Sequence, residues 1–424
     1  MYDDVPQDQY NQECIVPMLD LNGLKVMSPL GRGAKGVVFL VKEDVFGELW
    51  ALKVILRDLV EKKNKDVSDG SEYKRICFER QVLSQFKHPL LPRLRGVLAT
   101  DKIVAYAIDF CPGRDLNQLR KQQSEKMFSI EMIRFYAAEL VLALEHLHSL
   151  GIAYRDLKPE NILIQENGHI MLVDFDLSAK LNPKSPQTSP ISNSNNPKPH
   201  SSHKKRFSPF HSCCNSGVLP DDSSERDLST LPLESDTTEK SNSFVGTEEY
   251  VSPEIIQGNG HDFAVDWWSL GVVLYEMLYG VTPFKGENRK DTFFKILTKS
   301  PDLVGEASPL RDLIGKLLMK DPKKRIRVEE IKRHEFFRGT NWDLIPQMSR
   351  PPYIPPASHE FWEREAMEGI MKIDLESFVQ RIFGGDEVEK QEKVTNQEDE
   401  NTENKAWVKG LDNYPQGTDD FIVF

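Results

Sequence analysis

Tyr154-Arg155-Asp156-Leu157-Lys158-Pro159-Glu160-Asn161, followed thirteen residues later by Asp174-Phe175-Asp176, is the stretch on which the fold turns. Before it lies the clearest helix of the chain, 129–149. Ser129 suits an N-cap, Glu131 suits the first turn, and Ile133, Tyr136, Ala137, Leu140, Leu144 and Leu147 recur at three- and four-residue intervals as one buried face. Gly151 supplies the stop. After it, Ile162–Ile164 and 170–173 read as two short strands joined by a Glu-Asn-Gly turn. The polar run therefore sits in a loop between a long helix and a hairpin, with an acidic pair at the hairpin's end.

Working toward the N-terminus, the pattern shortens to strands. Val37–Val41 and Leu49–Ile55 are the clearest, with a turn at 43–47 between them, a helix at 71–86 and a further strand at 103–110. Gly31-Arg32-Gly33-Ala34-Lys35-Gly36-Val37-Val38 precedes the first of these. Glycines in that spacing let backbone amides approach phosphate oxygens, and a tight turn between strands needs the same residues. Lys53 interrupts an otherwise apolar strand, where a charge is costly unless paired. Glu79 on the following helix is a candidate partner, and a solvent-facing Glu beside Arg80 is the plainer reading.

Toward the C-terminus the pattern becomes helical, at 267–278 and 310–319. Strands first and helices later imply an α+β chain with two lobes of different character. Ser, Thr and Pro make up 25 of the 60 residues at 181–240, so that segment is expected to be disordered, and 386–405 to be solvated. Residues 1–23 are expected to be a flexible N-terminus.

Charge and cysteine use exclude several function classes. The chain has 424 residues and a net charge of −12, a poor partner for nucleic acid. Its five Cys (14, 77, 111, 213 and 214) are odd in number and irregular in spacing, as in a reducing compartment. The longest apolar stretch, Trp267–Tyr275, is far short of a membrane span, and the acidic N-terminus lacks an apolar signal region. An intracellular location, cytoplasmic or nuclear, is expected. Lys204-Lys205-Arg206 leaves peripheral membrane contact open, with a solvated loop as the simpler account.

The Gly-rich run, Ala51-Leu52-Lys53-Val54, the 154–161 loop and Asp174-Phe175-Asp176, in this order, resemble the eukaryotic protein-kinase signature set. Val245–Glu254 and Asp266-Trp267-Trp268-Ser269-Leu270-Gly271 match later motifs of the same set. The resemblance covers about residues 24–337 and implies a bilobal kinase fold, a small β-rich N-lobe and a larger helical C-lobe, with the insertion in the activation segment and a C-terminal tail over 338–424. It implies ATP and Mg²⁺. Gly31, Arg32, Gly33, Ala34, Gly36, Val38 and Ala51 would border the nucleotide, Lys53 would contact its phosphates and be held by Glu79, and Asn161 and Asp174 would hold the metal. Asp156 would orient the substrate hydroxyl and accept its proton, and Lys158 would steady the moving phosphoryl group. Asp109 and Cys111 would offer backbone groups to adenine, with Ile108 behind them and Asp115 at the ribose. Lys158 and Thr247 fit the serine/threonine pattern. Asp115, Glu160 and Glu276 would favour basic residues in the protein substrate.

Tyr154, Asp176 and the inserted activation segment are similar to the plant-specific branch of the AGC kinases, and in particular to its oxidative-signal-inducible members. That resemblance implies stress signalling, stress MAP kinase components as partners, and activation by phosphorylation of Ser243, with Arg155 as the phosphate's partner. Phe421-Ile422-Val423-Phe424 resembles the hydrophobic motif that docks on an upstream phosphoinositide-dependent kinase. Phe421 and Phe424 would dock there or fill a groove on the chain's own small lobe. Asp176 replaces a glycine and is expected to pay a backbone cost there, restricting flipped inactive states. A scaffold lacking activity and a lipid-recruited adaptor are the competing classes, and the presence of Lys53, Glu79, Asp156, Asn161 and Asp174 opposes both.

Overall fold

The computed structural model describes residues 16–33, 36–66, 71–181, 246–258, 260–349, 351–355 and 375–383. Among them, strands β1 (Leu24–Arg32), β2 (Gly36–Glu43), β3 (Leu49–Leu56), β4 (Leu94–Ala99) and β5 (Ile103–Asp109) form one antiparallel sheet in the order β1-β2-β3-β5-β4. Helices α1 (Arg57–Asp66) and α2 (Ser71–Leu83) follow β3. The sheet is covered on both faces, so its central strands β2, β3 and β5 are near-continuous apolar runs. Phe39, Leu52, Val54 and Ala105 feed one cluster, while Ile55, Val104 and Tyr106 face α2 and the main core. The turn at 43–47 forms as expected: the Glu43 carboxylate accepts from the Val45 and Phe46 amides at 2.8 and 2.6 Å, and Gly47 has φ +69°.

The helical lobe begins with α3 (Leu116–Lys121) and α4 (Ile130–Ser149). Ser129 does cap α4, accepting from the Met132 amide at 3.3 Å. The buried part of α4 is broader than the periodicity implied, because Phe135, Glu139 and Val141 are buried too. Strands β6 (Ile152–Ala153), β7 (Ile162–Ile164), β8 (Ile170–Leu172) and β9 (Ala179–Lys180) frame the loop, pairing β6 with β9 and β7 with β8. Helices α5 (Pro253–Gln257), α6 (Ala264–Tyr279), α7 (Arg289–Thr298), α8 (Pro309–Leu317) and α9 (Val328–Lys332) complete the lobe. Helix α6 is buried on nearly every side, which explains its all-round apolar sequence. No helix among the described residues is long and apolar enough to cross a membrane.

Three expectations need correction or placing. Part of the 1–23 segment is ordered: Pro17 and Leu19 exchange backbone hydrogen bonds with Val97 of β4 at 3.0 and 2.8 Å, and Leu21–Gly23 form a 3₁₀ turn capped by Asp20. Leu19 and Leu21 pack on the sheet, and that burial offsets the entropy that composition alone assigned to fraying. A tail helix, α10 (Leu375–Phe383), packs on the outer sheet face. The insertion and the 386–405 stretch lie outside the described residues.

Candidate active site

Two charged clusters meet where the lobes adjoin. Lys53 on β3 reaches Glu79 on α2 at 3.1 and 3.2 Å and Asp174 beyond β8 at 3.3 Å. Burial opposes the Lys53 charge, but Glu79, Tyr106 and Asp174 outweigh it and hold its pKa well above the usual value. Burial also works against an ionised Asp174, yet Lys53 and Lys158 hold its carboxyl below the ordinary range. Burial pushes the Glu79 carboxyl up, with Lys53 opposing. The Lys–Glu pairing is therefore the buried one; the solvent-facing alternative does not hold, for Glu79 is 3% exposed.

The second cluster surrounds Asp156. Its Oδ2 accepts from Lys158 Nζ at 2.9 Å and Asn161 Nδ2 at 3.0 Å, and its Oδ1 from Thr247 Oγ1 at 2.9 Å. Asn161 also donates to the Asp156 carbonyl at 3.0 Å, which fixes the amide and leaves Oδ1 buried with no hydrogen-bond partner. An orphaned amide oxygen and an ionised Asp174 are a donor set suited to a hard cation. No group of three His, Cys, Asp or Glu among the described residues forms a metal cage, so the rest of a cation's shell would come from phosphate and water.

The backbone here is strained and held. Arg155 and Asp174 have φ +69° and +58°, positions that cost a non-glycine residue free energy. Asp266, fully buried at the start of α6, accepts from the Tyr154 and Arg155 amides at 2.9 and 2.7 Å. Tyr154 Oη donates to the Val173 carbonyl at 2.5 Å, and its ring meets Phe175 edge-on at 5.3 Å. Asp176 is not in the left-handed region, so the backbone cost expected there is not incurred. The unusual angle falls on Asp174, and the Asp176 amide instead supports the Asp174 carboxylate.

An apolar cleft leads inward from these charges, lined by Leu30, Val38, Ala51, Ile108, Cys111 and Leu163 along with Lys53 and Asp174. The Asp109 side chain turns away to Arg95 at 2.6 Å and the Arg93 amide at 3.0 Å, leaving its backbone at the rim. Burial and Asp109 push the Cys111 thiol up, so it stays un-ionised beside Met171 Sδ at 3.5 Å. Asp115 is buried outside the cleft lining, where Oδ1 caps α3 by accepting from the Gln118 amide at 2.8 Å. Gly36 must be glycine, because a Cβ would lie 2.1 Å from the Val54 carbonyl oxygen. Gly33 donates to the Gly36 carbonyl at 2.9 Å, and Gly31 and Arg32 end β1. Ala34, Ser243, Phe421 and Phe424 lie outside the described residues.

A second, open groove runs from Lys158 and Thr247 past Glu160, Glu248, Glu249, Glu276 and Glu287. Glu276 is not an open carboxylate as the sequence suggested: it is buried against Arg120 at 2.9 Å and Tyr250 Oη at 2.5 Å. Asp115 is likewise committed to its cap. Glu249 pairs with Lys285 at 3.4 Å and accepts from Thr282. Sequence reasoning assigned no role to Asp266, Tyr106 or Leu163. An aspartate in an apolar helix was the available signal for the first, since a buried anion requires donors.

The model of the protein kinase domain matches residues 24–197 and 232–337. The chain belongs to the protein kinase family. The kinase is 56% identical over 415 residues to the serine/threonine-protein kinase OXI1 of Arabidopsis thaliana, covering 96% of this chain and 97% of that one. It is 44% identical to the serine/threonine-protein kinase UCN of the same plant, over 80% of this chain and 85% of the relative. Against the Arabidopsis serine/threonine-protein kinase AGC1-5 the figures are 40%, 80% and 60%. It is a serine/threonine protein kinase with plant AGC kinases as relatives, and the five-stranded sheet and helical lobe are the two lobes of that fold.

Proposed function

We propose that this kinase moves the γ-phosphoryl group of ATP to serine or threonine hydroxyls of proteins that carry basic residues near the acceptor. The observation that carries the reading is the convergence of Lys158, Asn161 and Thr247 on the Asp156 carboxylate while Lys53 bridges Glu79 and Asp174. Phosphoryl transfer demands positioning and charge neutralisation more than covalent chemistry. Asp156 accepts the hydroxyl proton as the acceptor oxygen bonds phosphorus and the bridging bond to ADP breaks. Lys158, 2.9 Å from Asp156, is placed to follow the moving charge, and Lys53 to hold the remaining phosphates. Asn161 and Asp174 would hold Mg²⁺, which when bound neutralises phosphate charge.

Selectivity for basic residues keeps Glu160 of the three carboxylates expected and replaces the other two. Glu160, Glu248 and Glu287 border the groove with no ion-pair partner among the described residues, whereas Asp115 and Glu276 are spent internally. Activation by phosphate on Ser243 is supported by two neighbouring cations: burial, opposed by Asp266 and joined by the charge of Arg75, lowers the Arg155 pKa to about 10. An anion placed there relieves that repulsion. Docking of Phe421 and Phe424 on an upstream phosphoinositide-dependent kinase, stress MAP kinase partners, stress signalling and an intracellular location complete the proposal. An exposed free Cys77 suits a reducing compartment.

The test is an oriented peptide library phosphorylated by the Ser243-phosphorylated protein, beside Lys53→Met. Labelling should favour Arg or Lys near the acceptor, and Lys53→Met should lose at least about 100-fold in kcat/KM. Undiminished labelling by a folded Lys53→Met protein would remove the mechanism; labelling without basic preference would remove the selectivity.

A further inference from the structure

Helix α10 lies across the outer face of the five-stranded sheet, burying Leu375, Phe378, Val379 and Ile382 there, with Phe378 edge-on to Phe39 at 5.6 Å. Both of its ends are fastened. At the N-terminal end Glu376 accepts from Thr100 Oγ1 at 2.5 Å and lies 3.7 Å from Lys102, both in the β4–β5 turn. At the C-terminal end Arg32, the last residue of β1 before the glycine-rich turn, donates from Nη2 to the Ile382 carbonyl at 3.2 Å, and its guanidinium lies 4.9 Å over the Phe383 ring. The last carbonyls of a helix have no partner within it and carry partial negative charge, so a guanidinium is the fitting cap. The dimensions agree. Nine helical residues span about 13 Å, and the three strand intervals from β5 to β1 span about 14 Å.

We propose that α10 is a strut for the nucleotide site, holding the glycine-rich turn through Arg32, so that the affinity for ATP depends on the tail helix. The proposal rests on reading that turn as the phosphate cradle. Arg32 and Phe383 then act as positioning residues: Phe383 touches no nucleotide and works only through Arg32 and the sheet. A turn pinned from outside loses less freedom when phosphates arrive, which appears in KM for ATP and leaves the rate at saturation alone.

Full-length Phe383→Leu, Arg32→Met and the double variant test this by two readouts, steady-state kinetics in ATP and amide exchange over residues 30–37 without nucleotide. Each single variant should speed exchange in that turn, and Phe383→Leu should raise KM for ATP about two- to fivefold and leave kcat near wild type. The double variant should be no worse than the worse single one, because both break one tether. Wild-type KM and exchange in Phe383→Leu, or fully additive effects, would overturn the proposal. Both side chains are partly exposed, so the fold should survive; if Phe383→Leu nevertheless unfolds, exchange in Arg32→Met, measured without nucleotide, decides. Should the wild type fail to turn over ATP, the phosphotransfer reading fails, while exchange still decides whether the strut exists.

Discussion

Asp266 has no exposed surface, and its carboxylate holds the Tyr154 and Arg155 amides and His148 Nε2 at 2.9, 2.7 and 2.8 Å. Asn at this position keeps the shape but turns an amide donor toward donors. Asp266→Asn is therefore expected to cost roughly 3 kcal/mol in chemical denaturation and to slow phosphotransfer, because the strained Arg155 backbone loses its hold. An unfolding midpoint equal to wild type would refute this role. At this scale the sequence was informative about identity and silent about company. Lys53 and Asp156 were legible because a charge in an apolar strand and a polar loop after a long helix are local patterns. That Asp115 and Glu276 are spent inside the protein was not, since their partners are set by packing, and Arg120 lies 156 residues from Glu276.

Strand β2 meets β3 with Gly36 opposite Ile55. Because the atom in the way of a Cβ is the backbone oxygen of Val54, neither strand can yield by a rotamer change. Gly36→Ala should destabilise by roughly 3 kcal/mol, read as a lowered melting temperature, and wild-type melting would show that the strands part more easily than this. Elements with an alternating or 3.6-residue apolar pattern were read directly, as α4 and the β7–β8 hairpin show. Helix α1 was missed because Arg57–Asp66 is almost wholly polar and gives no period to read. Helix α10 did carry a signal, with Leu375, Phe378, Val379 and Ile382 at helical spacing, but it is only nine residues long beside a polar tail. Its docking face, the outer side of the sheet, exists only once the strands have assembled.

Across the whole molecule, His169 ties three distant parts together. Its Nδ1 meets Glu139 of α4 at 2.5 Å and its Nε2 donates to the Met348 carbonyl at 2.9 Å, beyond the last helix of the large lobe. Burial disfavours the imidazolium, but Glu139 and the Met348 carbonyl hold its pKa above the ordinary value; burial likewise pushes the Glu139 carboxyl up. The folded chain thus keeps protons that the unfolded chain releases, near about pH 6.5 for the histidine. The resulting stabilisation is complete below that pH and is lost as pH rises through the folded value. The advantage of the wild type over His169→Gln in melting temperature should shrink from about pH 6.5 upward; a difference that does not change with pH would place the titration elsewhere. The hydrogen bonds of Pro17 and Leu19 to β4 have a consequence of the same reach. A bare outermost strand is a template on which a second polypeptide can grow more sheet. The leading segment occupies that template with its own amides, and Gly96 leaves room for Leu19 to lie close. It is a sheath against self-association, and a protein trimmed to the family's motifs alone would be folded yet sticky.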